Sequence, residues 1–170
     1  MECPVKLKPA SELQISEWLN TPTDLSLKQL RGKVVLIEAF EMLCPGCVSH
    51  ALPQVKRVAK YFGDQGVVVL GLHTVFEHHS AQGSRDALAA FVHEYGIMFP
   101  VGIDQPSPDA LLPQTMAAYQ MQGTPTQILI DQRGQLRKQK FGLVEDLLLG
   151  AEIMSILREP WEDSADADGR

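Results

Sequence analysis

The chain has 170 residues, 45% of them apolar, and a formal net charge of −6. That length suits one domain with a real core, and three cysteines are too few for a disulfide-dense secreted scaffold. The acidic balance without a basic cluster disfavours nucleic acid, and no apolar stretch approaches the ~20 residues that span a membrane.

The start, Met1-Glu2-Cys3-Pro4, has no basic n-region and no apolar h-region. The expectation is a cytoplasmic protein, or a periplasmic one whose leader was removed. Cys3 reads as an incidental exposed thiol in a chain end. Residues 1–23 read as an N-terminal extension, with Trp18-Leu19-Asn20 packed onto the body. Residues 24–158 read as one domain. Residues 159–170 read as an acidic disordered tail, since Glu162 to Arg170 carries four acids and one Arg. No period of 20–50 residues repeats.

Leu25 to Gly32 reads as a short strand or a turn. Val34-Val35-Leu36-Ile37 is an uninterrupted apolar run, as in a strand covered on both faces. Cys44 to Phe62 has apolar residues at 48, 51, 52, 55, 58, 59 and 62, the spacing of a helix. Val67 to Leu70 is a second buried strand. Ser84 to Tyr95 is helical, with Ser84 as N-cap and Gly96 as stop. Phe99 to Ile103 reads as a short strand. Asp109 to Met121 reads as a helix, with Pro113 in its first turn or breaking it. Gln127 to Ile130 and Leu136 to Phe141 flank a hairpin turn, Asp131-Gln132-Arg133-Gly134. Leu143 to Leu157 is a final helix. Alternation early and a hairpin late predict an α/β fold, a central mixed sheet with helices on both faces.

Cys44-Pro45-Gly46-Cys47 follows a buried strand and opens a helix. Two sulfurs within one helical turn can close a disulfide. The first thiol faces a helix N-terminus, whose free N–H groups and dipole favour a thiolate. Pro45 falls where its missing N–H costs nothing. On this reading Cys44 is the exposed nucleophile, and the more buried Cys47 resolves the mixed disulfide. Half a zinc site, two structural cysteines and a permanently oxidised staple are the competing readings. Gly123-Thr124-Pro125-Thr126 lies directly before a strand, where a Pro can be a plain turn residue.

Taken together, residues 32–142 resemble a thioredoxin-fold domain of the TlpA-like class of thiol–disulfide oxidoreductases. Gly32-Lys33-Val34-Val35-Leu36 before the CxxC is similar to that class. So is Gly123-Thr124-Pro125-Thr126 followed by Ile130-Asp131 and Gly134. Trp18-Leu19-Asn20 and Val69-Leu70-Gly71-Leu72-His73-Thr74 resemble the DipZ-type domains. The resemblance implies dithiol–disulfide exchange through Cys44 and Cys47. It also implies a cis Pro125 against the disulfide, with Thr124 binding an extended substrate by strand addition. The chain departs from the pattern at Leu43, where relatives often have Trp, and in the order Pro-Gly. It also departs at Pro53, nine residues after Cys44, and at His50, where relatives often have Glu.

Glu38 matches the buried acid behind the dithiol in thioredoxins. Burial would raise its pKa and let it take the Cys47 proton. A strand-edge Glu paired with Lys or Arg is the equal alternative. Leu43, with Met42, reads either as an apolar rim for substrate or as plain packing. His50 and His73 are candidate modulators of the thiols, and Glu77-His78-His79 is a weaker metal candidate; no full ligand set is visible, so no metal is assigned. The function expected is a thioredoxin-like thiol–disulfide oxidoreductase, monomeric and without cofactor. Its partners are protein or small-molecule thiols and disulfides and a redox partner. One alternative is a zinc or copper module using the CxxC and a histidine. The other is a thiol peroxidase-like enzyme, disfavoured because Glu41 stands where such enzymes need Thr.

Overall fold

A computed structural model describes residues 7–161. Cys3 and the stretch Glu162 to Arg170 lie outside the described residues. Seven strands form one sheet in the order β1-β7-β6-β3-β4-β5-β2. They are β1 (Lys8–Pro9), β2 (Ile15–Leu19), β3 (Val34–Phe40), β4 (Val67–His73), β5 (Val101–Asp104), β6 (Thr126–Ile130) and β7 (Gln135–Phe141). The centre is mixed: β3, β4 and β5 run parallel, while β6 lies antiparallel to β3 and β7 to β6. Within the stretch 1–23, β1 and β2 supply the two edges, β1 on β7 and β2 on β5.

All seven residues of β3 are buried, as its unbroken apolar pattern requires. Because side chains alternate along a strand, Val34, Leu36 and Phe40 enter one core and Val35, Ile37 and Ala39 the other. The first core takes Val55 of helix α1 (Leu52–Phe62), Leu88 and Val92 of α3 (Arg85–Glu94), and Leu149 and Ile153 of α5 (Asp146–Leu157). The second takes Met116 of α4 (Gln114–Ala118). Helices therefore cover both faces, and the fold is thioredoxin-like.

Local signals were accurate where they were strongest. The Ser84 side chain accepts the Ala87 N–H, capping α3, and Gly96 ends that segment in the left-handed conformation. Asp131 Oδ1 accepts the Arg133 and Gln135 N–H groups at 3.0 and 2.8 Å, closing the β6–β7 turn. Leu25 to Gly32 forms turns and no strand.

Two expectations need correction. The helix expected over 109–121 shrinks to Gln114–Ala118. Pro113 has extended ψ and stands outside it, and a proline disfavours helical backbone at the residue before it. Asp104 instead caps this short helix by accepting the Thr115 and Met116 N–H groups at 2.8 and 2.9 Å. The helix expected over 44–62 is interrupted by a π-helical turn at Cys47–Ala51, where the Leu52 N–H donates to the Cys47 carbonyl. Pro53 accounts for the widening. It has no N–H for the carbonyl four residues back, and its ring would crowd that carbonyl in a regular helix.

Candidate active site

The dithiol motif occupies the loop between β3 and the helix that starts at Pro45. Cys44 and Cys47 form a disulfide with Cα atoms 5.3 Å apart. Cys44 is half-buried, whereas Cys47 is 0% exposed within the first core. The Cys47 backbone N–H points at Cys44 Sγ, 3.2 Å away. A donor at that spot, with the helix dipole behind it, favours a thiolate on Cys44 once the bond opens.

The loop is anchored from the far side by Gln82, the last residue of α2 (His79–Gln82). Gln82 is buried. Its Oε1 accepts the Leu43 N–H at 3.1 Å, and its Nε2 donates to Glu41 Oε1 and to the Glu77 carbonyl, each at 2.9 Å. Glu41 also accepts the Phe76 N–H at 3.2 Å, and its own carbonyl accepts the Cys44 N–H. Glu41 thus builds the loop that presents Cys44. Nothing in the sequence marked Gln82, because its bonds reach 39 and 41 residues back.

The Thr124–Pro125 bond is cis. Pro125 is buried beside the motif: a Cβ placed on Gly46 would lie 3.6 Å from Pro125 Cδ and 4.0 Å from Leu143 Cδ2. Thr124 is half-buried next to it. Exposed apolar side chains flank the site: Leu43, the residue before Cys44, at 55%, Leu143 beside Gly46 at 51%, and Phe141 beside Gly123 at 47%. The Phe141 ring approaches Gly123, where a Cβ would meet it at 3.1 Å. Phe141 and Leu143 belong to this rim and were not singled out from the sequence, since a hairpin carries them back to Gly123 and Gly46.

Glu38 points from β3 into the same core as Cys47, by its register with Leu36 and Phe40. It is 1% exposed and has no Lys or Arg partner among the described residues. Its strand neighbours are Gly71 on β4 and Gln127 on β6. Oε2 accepts the Gln127 amide at 3.1 Å, and Oε1 finds no partner among the described residues. Burial pushes the carboxyl up to about 8, against a smaller downward pull from Gln127.

The histidines are dispersed. His73 is buried against Phe40, with ring centroids 5.4 Å apart, and burial lowers its pKa to about 4. His50 is exposed on the π-helical turn. No group of three or more His, Cys, Asp or Glu able to hold a metal exists among the described residues, His78 and His79 included. The two sulfurs bond each other, so the zinc or copper reading has no ligand set here.

A buried disulfide partner, a half-exposed one at a helix start and a cis proline alongside define a thioredoxin-like redox site. The Redoxin family model matches residues 8–146. Protein DipZ of Mycobacterium tuberculosis is 33% identical over 130 residues, covering 75% of this chain and 17% of DipZ. The chain thus spans about a sixth of the length of DipZ. Thiol-disulfide oxidoreductase ResA of Halalkalibacterium halodurans is 25% identical over 134 residues, covering 79% of this chain and 68% of ResA. Among solved structures, a thioredoxin-like superfamily protein is 58% identical with a TM-score of 0.86, covering 89% of this chain and 97% of its own. A thiol-disulfide isomerase from Corynebacterium glutamicum is 45% identical with a TM-score of 0.85 and the same coverage. The chain belongs to the Redoxin family.

Proposed function

We propose that the chain exchanges its Cys44–Cys47 dithiol and disulfide with protein substrates, binding them on the apolar rim around Cys44. The observation that supports this most is the asymmetry of the pair. Cys44 is reachable and faces an N–H donor, while Cys47 is sealed beneath it.

In the reducing direction, the Cys44 thiolate attacks a substrate disulfide. A mixed disulfide forms and the first substrate sulfur leaves as a thiolate, protonated from solvent. Cys47 then gives its proton to Glu38, and its sulfur attacks Cys44 Sγ. The internal disulfide forms, the second substrate thiolate leaves, and the substrate has gained two electrons. The oxidising direction retraces these steps. A substrate thiolate attacks Cys44, and protonated Glu38 supplies the proton that the departing Cys47 sulfur needs.

Thr124 offers backbone groups beside the cis proline to an extended segment, with Leu43, Phe141 and Leu143 meeting its apolar side chains. Small thiols reach the same sulfur. No helix among the described residues is long and apolar enough to cross a membrane. In a reducing compartment, the cytoplasmic case expected from the sequence, the dithiol form prevails and the chain is a reductant. In an oxidising one the partner's potential sets the direction; related folds span roughly −270 to −120 mV.

Insulin reduction tests the proposal. With dithiothreitol as electron source, wild type accelerates insulin precipitation and Cys44→Ser runs at the uncatalysed rate. A wild type no faster than dithiothreitol alone would refute it.

A further inference from the structure

Two neutral amides connect the buried acid to the surface. Gln127 Nε2 donates one hydrogen to Glu38 Oε2 and the other to Gln54 Oε1, both at 3.1 Å. Gln54 Nε2 donates to the Val144 carbonyl and to Asp146 Oδ1, both at 2.7 Å. Asp146 is held in turn by Arg57 Nη2, at 2.9 Å from Oδ2. Glu38, Gln54 and Gln127 are buried, whereas Arg57 and Asp146 are about half exposed.

The chemistry of the far end fixes both amide orientations. The ionised Asp146 carboxylate and the Val144 carbonyl only accept, so Gln54 must turn its NH₂ toward them. Its oxygen therefore faces Gln127, which must answer with an N–H. One Gln127 hydrogen is thereby committed, and the other is aimed at Glu38. An amide free to flip would instead offer its oxygen and repel the ionised carboxylate. An apolar side chain would leave both Glu38 oxygens without a donor.

We propose that Gln127 and Gln54 are positioning residues, which hold Glu38 by Oε2 and leave Oε1 free to exchange the Cys47 proton. This rests on the oxidoreductase reading above. A donor on one oxygen favours the ionised form and offsets part of the burial penalty, so Glu38 titrates within reach of neutral pH. The other elements packed around the carboxyl supply little charge. β4 presents Gly71, with His73 further along against Phe40, and Cys47 belongs to the core that this face of β3 enters. Arg57 and Asp146 lie beyond Gln54. Gln127 is therefore the neighbour best placed to set this equilibrium.

The test is a ¹³C NMR titration of the Glu38 carboxyl in the oxidised full chain, with the resonance assigned by its loss in Glu38→Gln. Gln127→Leu is expected to raise the midpoint by about one pH unit. Gln54→Leu should move it the same way by less. Gln127→Met, which keeps the volume but not the donor, replaces Gln127→Leu should that variant not fold. An unmoved midpoint in a folded Gln127 variant overturns the proposal. The titration needs no turnover, so it separates the two claims. Unmoved midpoints with intact insulin reduction refute this inference alone, and raised midpoints without insulin reduction refute the function alone.

Discussion

Replacing Cys47 by Ser is expected to turn the chain into a trap for its substrates. Cys44 keeps its place at the helix start and its N–H donor from residue 47, since that donor belongs to the backbone. It still attacks a disulfide and forms the mixed species. The second attack is lost, because a serine hydroxyl does not displace a thiolate at a sulfur. Covalent adducts should accumulate on Cys44, disappear on reduction, and be visible by mass spectrometry without reductant. Cys44→Ser should trap nothing, because the remaining sulfur is sealed in the core. Adducts on Cys44→Ser, at Cys47, would reverse the assigned roles.

Glu38→Gln carries the second large effect, and it has two signatures. The first is in stability. The Glu38 carboxyl titrates at about 8 in the folded oxidised protein, against an ordinary value of 4.5. Between these values the unfolded chain has released the proton and the folded chain still holds it. Stability from this group is therefore full below about pH 4.5 and declines as pH rises through about 8. The loss is of order 3–5 kcal/mol at alkaline pH. Glu38→Gln removes the ionisation, so denaturant curves at pH 5 and pH 9 should differ by that much less in the variant. Equal pH dependence in the two proteins would show that Glu38 is not the buried acid described here. The second signature is kinetic. Without a proton acceptor, closure of the mixed disulfide should slow by roughly 10²–10⁴-fold, while the first attack by Cys44 is spared.

Much of this site could be read from the chain because its parts are local. The CxxC, the Gly-Thr-Pro-Thr before a strand and the Ser84 cap each lie within four consecutive residues. Their meaning follows from helix and strand ends alone. Glu38 was legible as the one polar side chain in an apolar strand, though its lack of a cationic partner was not. What escaped depends on pairing across the sheet. Gln127 meets Glu38 only through the antiparallel register of β3 and β6. The trace it left in the sequence was a polar residue inside an apolar strand, the same signal that marked Glu38. Gln54 falls on the buried side of its helix, between Ala51 and Val58, and could have been found by the same rule. The short edge strand Lys8–Pro9 has no periodicity to read. The strand at Ile15–Leu19 is defined by a partner about 85 residues away, Trp18 facing Gly102. Of the two outcomes Pro113 allowed for the stretch 109–121, the break is the one found, and the helix begins only after it, at Gln114.

The central claim is that one covalent bond, Cys44 to Cys47, opens and closes as the working part of the molecule. A redox titration reads this most directly. The chain is equilibrated in glutathione buffers of graded ratio, quenched with acid, then unfolded and alkylated so that the buried Cys47 is as reachable as Cys44, and analysed for label at each cysteine. The account predicts that Cys44 and Cys47 gain label together, reversibly, along a single two-electron curve. A pair that stays bonded across every buffer in the folded protein, or that gains label at one position without the other, would contradict it.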